Sequence, residues 1–197
     1  MKVTLTTSPT IEPISRLTLG NHLLLSDSHP DMLNDVLPAM ITETRWAVED
    51  ITNRKLLTQT WTAYLDSFPT ENFIRLPFGQ LQSVTSIKYK DTDGDETTMT
   101  VGTDYYVETN GQDFGRLVLP YGESWPSATL YPSNPITIIF VCGWTTAALV
   151  PRPIVAAIKL MCADRYENRG EPVMGVSRIE NPAAEHVLAS WRLWGEF

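Results

Sequence analysis

Asp91-Thr-Asp-Gly-Asp95 is the run that first invites a chemical reading, because closely spaced carboxylates beside a glycine are what calcium loops are made of. An EF-hand loop places its glycine at position 6 and a bidentate Glu at position 12, between two helices. Here the glycine is Gly94, the fourth residue, the twelfth is Gly102, and the flanks alternate like strands. The segment therefore reads as a hairpin turn, for which Asp-Gly is a strong dipeptide. His22, His29 and His186 are scattered, with no Cys or carboxylate at the spacing of a zinc ligand set. Gly122-Glu-Ser-Trp-Pro126 lacks the second glycine of a nucleophile elbow, and neither a Walker A loop nor a Gly-x-Gly-x-x-Gly run is present. The expectation is a chain without catalytic residues, metal or cofactor. A second reading keeps the carboxylates between Asp91 and Glu123 as a glycosidase-type pair, which would make this a small β-rich binding module or a hydrolase acting on glycans.

The last seven residues carry a different pattern. Trp191, Trp194 and Phe197 are spaced by three, with Arg192 among them. Such a terminus either closes its own core or enters a pocket on another protein, since Trp and Arg are favoured at binding hot spots. Trp191 is expected to pack internally, and Trp194 and Phe197 to meet a partner.

Charge narrows the partners. The chain has 197 residues, 43% apolar and 19% charged, with a formal charge of −8 and a pI of about 4.8. Asp91, Asp93, Asp95, Glu96, Asp104, Glu108, Asp113 and Glu123 stand against Arg116 alone, so the segment 91–123 carries −7. Tight binding to DNA needs clustered Lys and Arg, and no such cluster exists. An acidic face formed by Asp91, Asp93, Asp95, Glu96, Asp104 and Asp113 suits a surface past which DNA slides without sticking. The start of the chain has no apolar core of a signal peptide, and the longest apolar stretch, Ile136 to Trp144, is far below the ~20 residues of a membrane span. Synthesis in a cytoplasm, with no membrane partner, is the expectation. Cys142 and Cys162 lie in apolar contexts and read as buried small hydrophobes without a disulfide.

The elements that must position these residues follow from periodicity. Residues 1–16, with Pro9 and Pro13, read as an extended arm, either paired to its own domain or strapped across a neighbour. Leu17 to Leu25 makes one or two helical turns. Ser28-His-Pro-Asp31 reads as a helix start with a Ser cap. Leu33, Val36, Leu37, Met40, Ile41, Thr44, Ala47, Val48 and Ile51 then follow 3.6-residue spacing, which predicts a helix from about Asp31 to Asn53. Pro38 lies inside it and should kink it or delay its regular start. From Leu56 to Gly143 the period becomes two, with strands over Leu57–Leu65, Phe73–Leu76, Ser83–Lys90, Glu96–Val101, Tyr105–Glu108, Arg116–Leu119 and Ile136–Cys142. Hairpin turns are expected at Asp91–Gly94 and near Asn110-Gly111. Pro151 and Pro153 open another helix, closed at Asn168 and Gly170, and Pro182 opens the last, through about Trp191. The fold class is α+β: a small bundle of about three to four helices with an antiparallel β-rich insertion between the first long helix and the C-terminal ones. Its domains are an arm at 1–16, the bundle at 17–55 and 150–193, the insertion at 56–149 and a tail at 194–197.

Several short phrases follow one another along the chain: Asn53-Arg-Lys-Leu-Leu-Thr-Gln-Thr-Trp61, Ile74-Arg-Leu-Pro-Phe-Gly-Gln-Leu-Gln-Ser-Val-Thr-Ser-Ile87, Asp91-Thr-Asp-Gly94, Tyr121-Gly-Glu-Ser-Trp-Pro126 and Asp164-Arg-Tyr-Glu-Asn-Arg-Gly170. With the opening arm to Pro13 and Val150-Pro-Arg-Pro153, this collinear set resembles the head–tail connector (adaptor) proteins of tailed bacteriophages, with relatives in prophages and gene transfer agents. The likeness is weakest at Gly20–Pro30 and near Pro38. It implies a structural subunit, not an enzyme, located in the neck of a virion or phage-like particle. Such subunits form a homo-oligomeric ring, commonly twelve-fold, beneath the portal protein. The ring prolongs the DNA channel and offers a platform to stopper or tail-completion proteins. By the same resemblance the C-terminal helix and tail, with Trp191, Arg192, Trp194 and Phe197, face the portal, and the acidic β loops face the channel, the tail or neighbouring subunits.

Overall fold

The computed structural model describes residues 1–168 and 182–195. The chain forms two compact units, each built from separated stretches. One gathers Met1–Pro9, Thr58–Gly143 and the end of the chain from Trp194; the other gathers Thr10–Leu57 and Trp144–Leu193. The fold is α+β: one strand of the β unit precedes all the helices, and the other seven are inserted in sequence between the first three helices and the later ones.

The β unit contains β1 (Lys2–Thr7), β2 (Gln59–Leu65), β3 (Phe73–Arg75), β4 (Leu81–Lys90), β5 (Glu96–Met99), β6 (Tyr106–Glu108), β7 (Arg116–Val118) and β8 (Ile136–Cys142). A five-stranded sheet runs β1-β2-β8-β4-β5 and a three-stranded sheet runs β3-β7-β6, antiparallel throughout. The central strand β8 shows why period two matters: Ile136, Ile138, Phe140 and Cys142 are fully buried, while Thr137, Ile139 and Val141 on the opposite face are half-buried. Ala63, Ile74, Leu76, Leu117 and Ile87 complete this core.

Of the two readings of the N-terminal arm, residues 2–7 take the intramolecular one and pair with β2, from Lys2 opposite Tyr64 to Thr7 opposite Thr60. A register shift lies between Leu5 and Thr7. Strand β4 departs from simple alternation, because its apolar residues Leu81, Val84 and Ile87 are spaced by three. They nevertheless face Cys142, Phe140 and Ile138, spaced by two, since register shifts between 81 and 83 and between 84 and 86 each absorb one extra residue. Both expected hairpins form. Gly94 (φ +92°) turns β4 into β5, and the left-handed pair Asn110 (φ +52°) and Gly111 (φ +58°) turns β6 into β7.

The helical unit contains α1 (Arg16–His22), α2 (Pro30–Leu33), α3 (Val36–Thr52), a 3₁₀ turn (Ala147–Leu149), α4 (Arg152–Glu167) and α5 (Pro182–Ala189). Helix α3 packs against α1, α4 and α5, burying Leu37, Met40, Ile41 and Val48 with Ile154, Ala157, Ile158, Cys162 and Leu188.

Four expectations are corrected here. The helix expected from about Asp31 to Asn53 is broken at Asn34–Asp35, where the Asn34 side-chain oxygen accepts the Val36 N–H at 2.9 Å. Pro38 consequently falls in the first turn of α3, where a missing N–H costs nothing, and of the two effects expected of it the later start is the one seen, at Val36. The cap before Pro30 is His29, whose Nδ1 accepts from the Asp31 N–H at 3.2 Å, rather than Ser28. Helix α5 stops at Ala189 rather than Trp191, although Trp191 N–H still bonds Leu188 O at 2.9 Å in a closing turn. Several strands end earlier or later than expected by one to two residues, as at Met99 and Val118. The helix stop expected at Gly170 lies outside the described residues.

Candidate functional site

The phrases quoted above turn out to be joints of the fold. Asn53 ends α3 in the left-handed region (φ +52°), and Arg54 Nε donates to Trp191 O at 2.6 Å. Leu193 N–H bonds Thr52 O at 2.9 Å. These two bonds fasten the segment after α5 to the end of α3. On α4, Arg165 reaches Thr44 Oγ1 at 3.3 Å and Tyr166 OH donates to Asp31 Oδ2 at 2.8 Å. In the β unit, Trp125 donates to Glu71 O at 2.8 Å and stacks on Phe68 with ring centroids 5.4 Å apart.

The helical unit also buries a charge cluster. Arg45 Nε donates to Glu12 Oε2 at 2.8 Å and Arg45 Nη1 to Glu49 Oε1 at 3.3 Å. Lys55 Nζ lies 3.7 Å from Glu49 Oε2. Glu49 Oε1 also accepts the Leu56 N–H at 3.0 Å. Arg45 and Glu49 are each 3% exposed. Among the described residues two acids face two bases, and the carboxylate oxygens accept backbone and side-chain donors, so the cluster fixes the exit of α3. A reacting group would need access that this cluster lacks. Among the described residues, no group of three or more His, Cys, Asp and Glu could hold a metal ion.

The acidic residues lie on three turns. Asp91 Oδ1 accepts from both the Asp93 and Asp95 N–H groups at 3.0 Å, which shapes the β4–β5 turn. Glu96, at the head of β5, pairs with Lys88 at 3.4 Å. Asp104 Oδ2 accepts the Thr100 N–H at 2.6 Å between β5 and β6. Asp113 Oδ1 accepts the Phe114 N–H at 2.7 Å between β6 and β7. Three of these six carboxylates therefore brace turns, and Asp93 and Asp95 point outward from one. Asp104 and Glu123 do line a pocket of about 260 Å³ with Tyr89, Thr97 and Ser124. Glu123 is exposed there, whereas a glycosidase general acid is kept protonated by an apolar enclosure. Beside Asp104, burial pushes the Tyr105 hydroxyl up from its ordinary pKa, with the Asp104 charge adding to the rise. Burial likewise raises the Cys162 thiol, against the lowering effect of Thr44 and Arg165.

The C-terminal residues separate. Trp191 is half-buried against the helical core, and Arg192 is exposed. Trp194 belongs to the β unit, is 74% exposed, and borders a polar cleft of about 560 Å³ lined by Arg75, Asn110, Asp113, Phe114 and Arg116. A Cβ on Gly195 would come within 2.9 Å of the Phe114 ring, so the backbone itself lies against the β6–β7 turn. Phe197 lies outside the described residues. Arg75 stands over the Phe114 ring at 5.7 Å, while Arg116 stands over the Phe73 ring at 5.4 Å and pairs with Glu108 at 2.6 Å. Sequence patterning missed Arg75, which is 119 positions from Trp194. It also missed Trp46, which is 57% exposed on α3 although tryptophan usually signals a core position.

No protein-family model matches the sequence, and no curated protein matches it. Solved structures do match in fold, each over 100% of this chain and 98% of the other. A chain of "Neck of empty GTA particle computed with C6 symmetry" gives a TM-score of 0.78 at 18% identity. One from "Virion of native gene transfer agent (GTA) particle" gives 0.77 at 19%, and one from "Neck of native GTA particle computed with C12 symmetry" gives 0.73 at 18%. At these identities the likeness is one of fold.

Proposed function

We propose that this chain is a structural head–tail connector (adaptor) subunit of a phage or phage-like particle. It forms a ring beneath the portal, prolongs the DNA channel and offers a platform to stopper or tail-completion proteins. The observation carrying this reading is the whole-length likeness of fold to chains from gene transfer agent necks, one of them computed with C12 symmetry. Two features agree with it. The acidic segment 91–123 would let DNA pass without adhering, and Asp91, Asp104 and Asp113, three of the carboxylates that a hydrolase could use, are engaged in turns. In this reading the C-terminal segment faces the portal: Trp191 anchors it to the helical core, Arg192 and Trp194 are offered outward, and Phe197 continues it.

Electron microscopy of the purified protein mixed with portal tests the proposal. Rings stacked on portal are the expected outcome. A protein that stays monomeric, ignores portal and binds glycans would refute it in favour of a small binding module or hydrolase.

A further inference from the structure

We infer that the cleft beside Trp194 receives the acidic β4–β5 turn of a second copy of this chain, with Arg75 pairing to the carboxylates at its tip. This deepens the ring reading and rests on it. The cleft offers a cation: Arg75 is exposed at the end of β3, touches the Phe114 ring, and has no carboxylate partner among the described residues. Arg116, the other guanidinium lining the cleft, is already paired with Glu108. Asp113 also lines the cleft, but its Oδ1 is taken by the Phe114 N–H. The lining thus carries two guanidiniums against one carboxylate.

The turn offers the complement. Residues 91–96 hold Asp91, Asp93, Asp95 and Glu96. Asp91 is occupied in shaping the turn and Glu96 faces Lys88. That leaves Asp93 and Asp95 exposed at the tip, without a cation among the described residues. Because Asp91 already holds two N–H groups of the turn, docking orders little that is not ordered beforehand. Cleft and turn are different patches of the same β unit, and in the ring reading each copy gives its turn to one neighbour and its cleft to the other, a head-to-tail contact. A repeated head-to-tail contact closes into a ring when its rotation permits. An exposed Trp and an Arg flanking a cleft also suit an interface centre.

The test uses charge reversal in the full-length protein, following oligomer mass against concentration by sedimentation velocity, with far-UV circular dichroism as the check of folding. Arg75→Glu alone, and Asp93→Lys with Asp95→Lys, should each raise the concentration for half-assembly by about tenfold or more, because like charges placed together in an interface cost several kcal/mol. Combining all three changes should bring assembly back toward that of the unaltered protein. Rings that form unchanged with Arg75→Glu would overturn the inference while leaving the ring reading intact. Failure of the combined variant to recover would overturn it too. If the unaltered protein forms no oligomer alone or on portal, the ring reading itself falls, and the inference with it.

Discussion

Replacing Glu49 with Ala probes the densest group of charges in the helical unit. Glu49 Oε1 accepts from Leu56 N–H at 3.0 Å and from Arg45 Nη1 at 3.3 Å, and Oε2 faces Lys55 Nζ at 3.7 Å. Leu56 is fully buried and Lys55 is 7% exposed, so neither donor gains water when the carboxylate is removed. Arg45 keeps Glu12, at 2.8 Å, but Lys55 and the Leu56 N–H lose the acid that faced them. Removing one member of a buried pair costs about 3–5 kcal/mol. Glu49→Gln retains an oxygen for Leu56 and should cost about 1–3 kcal/mol. Against a typical total stability of about 5–15 kcal/mol, the first change is severe and the second tolerable. With a urea slope of about 2–3 kcal/mol per M, Glu49→Ala should lower the midpoint of the helical unit by about 1–2 M. Urea titration followed by far-UV circular dichroism, to which the helices contribute most, reads this directly. A Glu49→Ala midpoint within about 0.3 M of the unaltered protein would show that the cluster is decorative, and the reasoning would fail.

Four further outcomes follow from the structure. A Cβ at Gly115 would lie 2.6 Å from Leu81 Cβ, which cannot swing away, whereas at Gly20 the nearest atoms are the Sδ and Cε at the mobile end of Met32. Gly115→Ala should therefore cost about 1–3 kcal/mol in urea melts, and Gly20→Ala should be close to neutral because Ala gains about 0.5–1 kcal/mol in a helix. Trp191→Ala should destabilise the helical unit by about 3–5 kcal/mol at most, since the ring is only half-buried. Trp194→Ala, at a 74% exposed position, should stay within about 0.5 kcal/mol while weakening portal docking in a pull-down; unchanged docking would remove the anchor. Burial holds Tyr105 and Cys162 protonated in the folded chain, above their ordinary values of 10.0 and 9.0. The unfolded chain releases these protons first, so stability is full below pH 9.0 and declines as pH rises through the folded values. Tyr105→Phe should flatten the part of that decline above pH 10.0, read as melting temperature against pH.

Elements that obey a single period were legible in the sequence: α3 and α4 from 3.6-residue spacing, β2 and β8 from alternation, and both hairpins from Asp-Gly and Asn-Gly. Strand β4 began two residues before the expected Ser83, at Leu81, because its apolar spacing of three matches no regular strand until two bulges are allowed for. The interruption at Asn34 was hidden for the opposite reason: Leu33, Val36 and Leu37 keep helical spacing across a break that a side-chain cap enforces. Candidate surfaces were harder still. The different surroundings of Trp191 and Trp194 were expected, but not that the helix ends at Ala189, before either ring, nor that Trp194 borders a polar cleft of the β unit. Arg75 looked like one polar residue of a short strand, and only tertiary contact joins it to Phe114 and Trp194.

The way the two units share one chain bears on how the protein is made. The last residue of α3 is Thr52 and the first of α4 is Arg152, so a ribosome adds 99 residues between two helices that bury each other. At about 5–20 residues per second, that is a delay of roughly 5–20 s. During it Leu37, Ile41 and Val48 await their covering, and β2 and β4 await β8, the central strand they share, until residue 142 is made. The nascent N-terminal third is thus the span that a holdase would shield, and slowing translation beyond codon 143 should favour aggregates containing it.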